Sequence, residues 1–204
     1  TFENHNQLVL LFYAFDYDDN ILNMPTVIHM DKMINGEWTP TDVSTSDFAI
    51  VRSDTTNWRI INNDPGEAFS EFRDFGPRGE SAFVEDTKKA IELDRFGPAW
   101  DDFLEALTSG CLFSIITARG HEDATLRSGV EWIIDNYLTK AQVQSMYDNI
   151  GKFVYLFNDD EVEYKGFITG TPSKNQLVKR YLDNCVFAGV SAPSRSGDAS
   201  NPEK

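Results

Sequence analysis

Cysteine is scarce in this chain of 204 residues: Cys111 and Cys185 are the only two. They are too few for a disulfide framework and lack the spacing of a zinc site, so a reducing, cytoplasmic setting is expected. Basic residues are also short, with 18 Lys and Arg against 33 Asp and Glu and a formal net charge of −15. No Lys/Arg-rich run occurs. Such a chain repels phosphate backbones and anionic membranes, which makes nucleic acid a poor partner. Long apolar runs are missing as well. The longest, Leu8 to Phe15, is about a third of what spans a bilayer, and no basic segment precedes it as in a signal peptide, so no membrane association is expected. There is no internal repeat. The length suits one core, or one core carrying an inserted subdomain.

What is present is an α/β texture. The apolar segment 8–15, polar before and acidic after, reads as a strand buried on both faces, as in a parallel sheet covered by helices. From Asn23 to about Arg78 short polar–apolar stretches alternate with turn residues. Within them Asn35-Gly36 joins 26–33 to 38–43 as a hairpin signal, so antiparallel strands are expected. Helices are expected over 81–95, closed by Gly97, and from Pro98 to Gly110. A second apolar strand, 111–116, ends in the loop 117–121, and an amphipathic helix over 122–138 follows. Thr139-Lys140-Ala141-Gln142 is a capping box that opens a helix ending near Gly151, and 153–157 is a third strand candidate, followed by Asp159-Asp160. Ser173-Lys174-Asn175-Gln176 is another capping box, opening a helix to about Asp183, and 186–190 is a fourth strand candidate. Residues 191–204 are too polar to fold alone, and read as a tail or as the front of a truncated remainder of the core. The fold class expected is α/β, a Rossmann-like parallel sheet with helices on both faces.

The most informative feature is the first strand running straight into Asp16-Tyr17-Asp18-Asp19-Asn20-Ile21-Leu22. Ligands of open α/β sheets bind outside the carboxyl ends of strands. Two carboxylates at i and i+2 on such a loop repel each other unless a cation or a shared proton offsets them. A hard cation with oxygen ligands, Mg²⁺ before Ca²⁺, is the natural partner. An isolated Asp-x-Asp is more often a solvated strand end. Here the strand, the two acids and the return to apolar Ile21-Leu22 make the position specific.

That arrangement resembles the first motif of the haloacid dehalogenase-like superfamily, an apolar strand followed by Asp-x-Asp. Ser114 to Gly120, an apolar strand ending in Thr117, resembles its second motif. The chain departs from the family pattern at Asn20, where Thr or Val is usual, and at Asp19, where Gly is common. The resemblance implies a Mg²⁺-dependent phosphohydrolase acting on a small phosphorylated substrate. Asp16 would be the nucleophile, forming an aspartyl-phosphate, and Asp18 its acid/base partner. Thr117 would bind a phosphoryl oxygen. Metal would be held by Asp16, the Asp18 backbone carbonyl and a later acid, for which Asp159 is the candidate, although Asp159-Asp160 also reads as a plain solvated strand end. Lys174, or its rival Lys204, would stabilise the intermediate, unless the family's motif order holds with Asp159, which leaves only Lys140 or Lys152 for that role. Arg119 and His121 stand on the substrate side. The insertion over 23–108 would be an α+β cap between the two motifs, with 1–22 and 109–190 forming the core. The same fold without turnover, as an interaction or structural protein, is the alternative. A phospho-receiver domain fits less well, because its phosphoacceptor lies on a central strand apart from the first-strand acids.

Overall fold

The structure, a computed structural model, describes residues 11–157 and 174–189. Two sheets organise it. Strands β1 (Phe12–Phe15), β5 (Leu112–Thr117) and β6 (Val186–Gly189) form a parallel sheet in the order β1-β5-β6. Strands β2 (Ile28–Ile34), β3 (Glu37–Val43) and β4 (Trp58–Ile60) form an antiparallel sheet in the order β3-β2-β4. The helices are α1 (Thr45–Val51), α2 (Pro65–Ala68), α3 (Ser81–Glu92), α4 (Trp100–Thr108), α5 (Asp123–Asn136), α6 (Lys140–Phe157) and α7 (Lys174–Asp183). No described helix is long and apolar enough to cross a membrane.

The parallel sheet buries one face. Phe15 lies opposite Ile115, and Ile115 opposite Phe187, so the three point the same way. Phe113 meets Phe15, Phe103, Tyr181 and Phe187 edge-on, with ring centroids 5.6–6.5 Å apart. Contacts of this kind add about 0.5–1.5 kcal/mol each beyond area burial, and here they lock β5 between its neighbours. The first strand, expected to be buried on both faces over 8–15, is buried on one face at Phe12–Phe15, and 8–10 lie outside the described residues. The pleat turns Phe12 (59% exposed) and Ala14 away from the core, and Ile116 and Val186 share their exposed side.

The hairpin stands where Asn35-Gly36 puts it. Asn35 has φ 52° and Gly36 φ 86°, the two successive positive values of the turn that matches strand twist. Ile28, Met30 and Val43 of this sheet form a small core of their own with Phe48, Trp58, Ile60, Phe69 and Phe72. The stretch expected as a single insertion, 23–108, divides in two. Residues 28–72 build the small sheet and its helices, whereas Phe83 and Ala90 of α3, and Trp100, Phe103 and Leu107 of α4, belong to the main core. Apolar faces repeating at three and four residues could dock on either body. The larger apolar surface of the parallel sheet captures them.

The capping box at Thr139 forms in both directions: Gln142 N–H donates to Thr139 Oγ1 (3.2 Å) and Thr139 N–H to Gln142 Oε1 (2.9 Å). The helix it opens does not stop at Gly151. It continues to Phe157, so the strand expected over 153–157 is the last part of α6. A five-residue apolar run has no periodicity that separates strand from helix, and a helix already nucleated extends through it at little cost. Asp159 and Asp160 therefore follow a helix rather than a strand, and both lie outside the described residues.

Gly129 of α5 lets α3 approach: an added Cβ would stand 2.5 Å from Cε1 of the fully buried Phe83. Gly129→Ala is expected to destabilise the fold by about 1–3 kcal/mol through overpacking. Gly36→Ala meets no atom within 4 Å and carries only the left-handed backbone cost, about 1–2 kcal/mol. Urea midpoints of the two variants measure both effects.

Candidate functional site

Parallel pairing of β1 with β5 sets the carboxyl ends of both strands side by side. Phe15 pairs with Ile115, so Asp16 emerges beside the end of β5 where Thr117 stands. The loop after β1 is a tight turn. Ile21 and Leu22 N–H both donate to the Tyr17 carbonyl (3.0 and 3.2 Å), and Asp19 takes φ 56°, a conformation Asp tolerates better than most residues. Asn20 Nδ2 donates to the Asp16 carbonyl at 3.2 Å, so the residue that departs from the usual Thr or Val still ties the loop. Tyr17, Ile21 and Leu22 are fully buried and hold the turn down, with Tyr17 Oη 2.9 Å from Thr87 Oγ1. The backbones of Gly97 and Ala99 donate to Ile21 and Asn20 carbonyls, both at 2.9 Å. A side chain at Gly97 would overlap the Asn20 carbonyl.

The three loop acids have different surroundings. Asp16 is exposed and accepts the Tyr17 N–H at 2.7 Å. Partial burial, then the charges of Asp18 and Asp19, raise its pKa above the usual carboxylate value, against the Tyr17 N–H and Arg119. Asp18 is gripped by Arg119 in a two-point fork, Nε to Oδ2 at 2.6 Å and Nη2 to Oδ1 at 2.7 Å. Asp19 accepts from Thr45 Oγ1 at 3.3 Å, a link to the start of α1.

Arg119 and His121, expected on the substrate side, are placed otherwise. Arg119 is 1% exposed, and its guanidinium lies 4.7 Å from the Phe72 ring and 5.5 Å from Phe83. Beyond Asp18 it donates to Thr26 Oγ1 (2.7 Å) and reaches His121 Nε2 (3.4 Å). His121 is buried, with Nδ1 2.9 Å from Asp74 Oδ1. Burial, joined by the nearby Arg119 charge, lowers its pKa despite Asp74. A neutral ring with its proton on Nδ1 satisfies both contacts, since Arg119 has only donors to offer Nε2. Both side chains are engaged by protein contacts. An Arg two residues past a strand end looks in sequence like a solvent-facing ligand. The rings of Phe72 and Phe83 cover it instead.

Thr117 is buried, and its Oγ1 accepts the Arg119 N–H at 3.3 Å. Its register partner is Gly189, where an added Cβ would stand 2.5 Å from the His121 carbonyl oxygen and 2.6 Å from that of Arg119. Lys174 opens α7, while Lys204 and Asp159 lie outside the described residues.

Sequence reasoning missed the groups behind Arg119. Thr26 Oγ1 donates to Asp86 Oδ2 at 2.5 Å. Asp86 takes two bonds from Arg78, Nη1 to Oδ1 at 2.8 Å and Nη2 to Oδ2 at 2.9 Å, and Arg78 Nε donates to Glu71 Oε2 at 2.6 Å. Burial works to raise the Asp86 pKa, but the Arg78 and Thr26 hydrogen bonds prevail and it lies below its usual value. One signal was available: Asp86 falls three residues after Phe83, on the apolar face of α3, where a charge needs a buried partner.

Two outcomes follow from these environments. A carboxyl whose pKa is raised on folding favours the native state only below its unfolded pKa, and that contribution is lost as pH rises through the folded value. Asp16→Asn should therefore raise the melting temperature at pH 7, with the gain vanishing on acidification into the carboxylate range. Asp18→Ala leaves a buried guanidinium without its counter-charge and should cost about 3–5 kcal/mol, measured by urea denaturation.

Comparisons with family models, with curated proteins and with solved structures find no match to this chain.

Proposed function

We propose that this chain is a haloacid dehalogenase-like phosphohydrolase that cleaves a small phosphorylated substrate through an aspartyl-phosphate on Asp16, with Mg²⁺ as cofactor. The observation that supports the reading is the pair of adjacent parallel strand ends, one leading into the loop of Asp16 and Asp18 and the other ending in Thr117. Among the described residues no ion pair engages Asp16, and partial burial first, then the neighbouring Asp18 and Asp19 charges, hold its pKa above the usual carboxylate value. An all-oxygen site with surplus negative charge fits a hard cation. No group of three or more His, Cys, Asp or Glu among the described residues is disposed to hold a metal. Mg²⁺ would be held on this half-site by the Asp16 carboxylate and the Asp18 backbone carbonyl, with Asp159, outside the described residues, as the proposed further acid. When bound, Mg²⁺ supplies charge neutralisation between nucleophile and phosphate.

In this reading Asp16 attacks phosphorus as the bond to the leaving oxygen breaks, and water later frees the phosphate from Asp16. Thr117 Oγ1 already accepts the Arg119 N–H, which leaves its own proton to donate to a phosphoryl oxygen. As the ionised carboxylate that Arg119 holds, Asp18 takes a proton from the attacking water; to serve the leaving group it must first enter the cycle protonated at a position Arg119 leaves open. A carboxylate has about four lone-pair positions and Arg119 takes two, so two remain for this exchange. Lys174 is proposed to stabilise the intermediate. The antiparallel sheet, tied to the site through Thr45–Asp19 and through the Gly120 N–H on the Phe72 carbonyl (3.0 Å), serves as the cap. A second reading is the same fold without turnover, favoured by the occupation of both Asp18 oxygens by Arg119.

Hydrolysis of p-nitrophenyl phosphate with Mg²⁺ tests the two. Asp16→Asn is expected to remove activity by roughly three orders of magnitude or more, and to abolish the thermal stabilisation that Mg²⁺ confers on the unmodified chain. Full activity in Asp16→Asn would overturn the assignment of the nucleophile. No hydrolysis across a broad phosphate-ester panel selects the second reading.

A further inference from the structure

We infer that Thr26 is a positioning residue: with Asp86 and Arg78 behind it, it holds the Arg119 guanidinium against Asp18 and so fixes where the Asp18 carboxylate stands. The claim about Arg119 is independent of the chemistry above, and its consequence for turnover rests on that reading.

Thr26 lies just before β2 and is 1% exposed. Its hydroxyl has one proton, and both of its contacts are short, 2.7 Å to Arg119 Nη2 and 2.5 Å to Asp86 Oδ2. A guanidinium can only donate, so the Thr26 oxygen accepts from Arg119 and its proton goes to Asp86. The direction of the hydroxyl is therefore set from both sides. Nη2 is divided between Asp18 and Thr26, which defines the rotation of the guanidinium in its own plane. Phe72 and Phe83 define the plane. Asp86 is itself held by both Nη atoms of Arg78, so the Thr26 anchor cannot drift. Charges alternate along the chain of contacts, Asp18, Arg119, Asp86, Arg78, Glu71, with the neutral Thr26 hydroxyl standing between the positive Arg119 and the negative Asp86. Removing that hydroxyl leaves an Arg119 Nη2 proton unsatisfied in a buried site and takes from Asp86 Oδ2 one of its two hydrogen bonds, the other coming from Arg78. The guanidinium then has freedom to turn, and Asp18 turns with it. A purely structural hydroxyl would affect stability and leave Asp18 where it is.

The test reads Arg119 directly. In proton–nitrogen NMR of the full chain, the Arg119 guanidinium protons should be resolved and protected. In Thr26→Val they should exchange at least about tenfold faster, with the circular dichroism of the fold retained, and Thr26→Ser should restore protection. In Mg²⁺-dependent turnover of p-nitrophenyl phosphate, Thr26→Val should lower kcat roughly tenfold with KM unmoved, again rescued by Ser. Unchanged Arg119 exchange in Thr26→Val overturns the inference, as does a full kcat beside a loosened Arg119. An unmodified chain that hydrolyses no phosphate ester overturns the phosphatase reading alone, and the exchange measurement still decides the role of Thr26. Should Thr26→Val not fold, Asp86→Asn is measured in the same way, with faster Arg119 exchange supporting the inference and unchanged exchange overturning it.

Discussion

A guanidinium at 1% exposure must be paired wherever it sits, and Arg119 pairs with a carboxylate 101 positions away. That pair joins the loop after the first strand of the parallel sheet to the loop after the strand beside it. Much of the surrounding structure exists to make its burial tolerable. Phe72 and Phe83 cover the guanidinium faces, Thr26 and His121 take its remaining edges, and Asp74 orients His121 while accepting the Glu122 N–H at the start of α5 at 2.7 Å. Buried ion pairs add little net stability compared with apolar packing, because desolvation offsets the attraction. What the pair supplies here is geometry: two loops that could each drift are held to one arrangement.

The pair also explains how three acids at 16, 18 and 19 coexist on one short turn. Asp18 is neutralised by a fixed cation, Asp19 accepts from the Thr45 hydroxyl at the start of α1, and Asp16 accepts the Tyr17 N–H, the last two without an ion pair among the described residues. The electrostatic asymmetry comes from the environment, since the three side chains are chemically identical.

Close backbone approach completes the arrangement. The Gly97 amide lies against the acidic turn, and Gly189 against the carbonyls of Arg119 and His121, at positions where a side chain would force the loops apart. Segments flanking the small antiparallel sheet reach the same region through Thr26, Thr45 and Phe72, although the core of that sheet is separate from the main one.

The sequence by itself determined what local chemistry dictates. Asn35-Gly36 demanded two positive φ values and made a hairpin. Thr139 and Gln142 capped a helix, and the apolar runs ending at Phe15 and Thr117 became neighbouring parallel strands with Asp16 at their mouth. Where the signal was only apolarity, the outcome depended on what lay opposite: 153–157 extended a helix, α3 and α4 joined the larger core, and the outer face of β1 stayed exposed. The partners of Arg119 were invisible for a related reason. Thr26, Phe72, Asp86 and Asp18 share no spacing that periodicity could detect, because residues so far apart in the chain are brought together only by the packing of α3 and the small sheet over the strand ends. Tertiary structure alone thus decided that Arg119 serves Asp18 rather than the solvent.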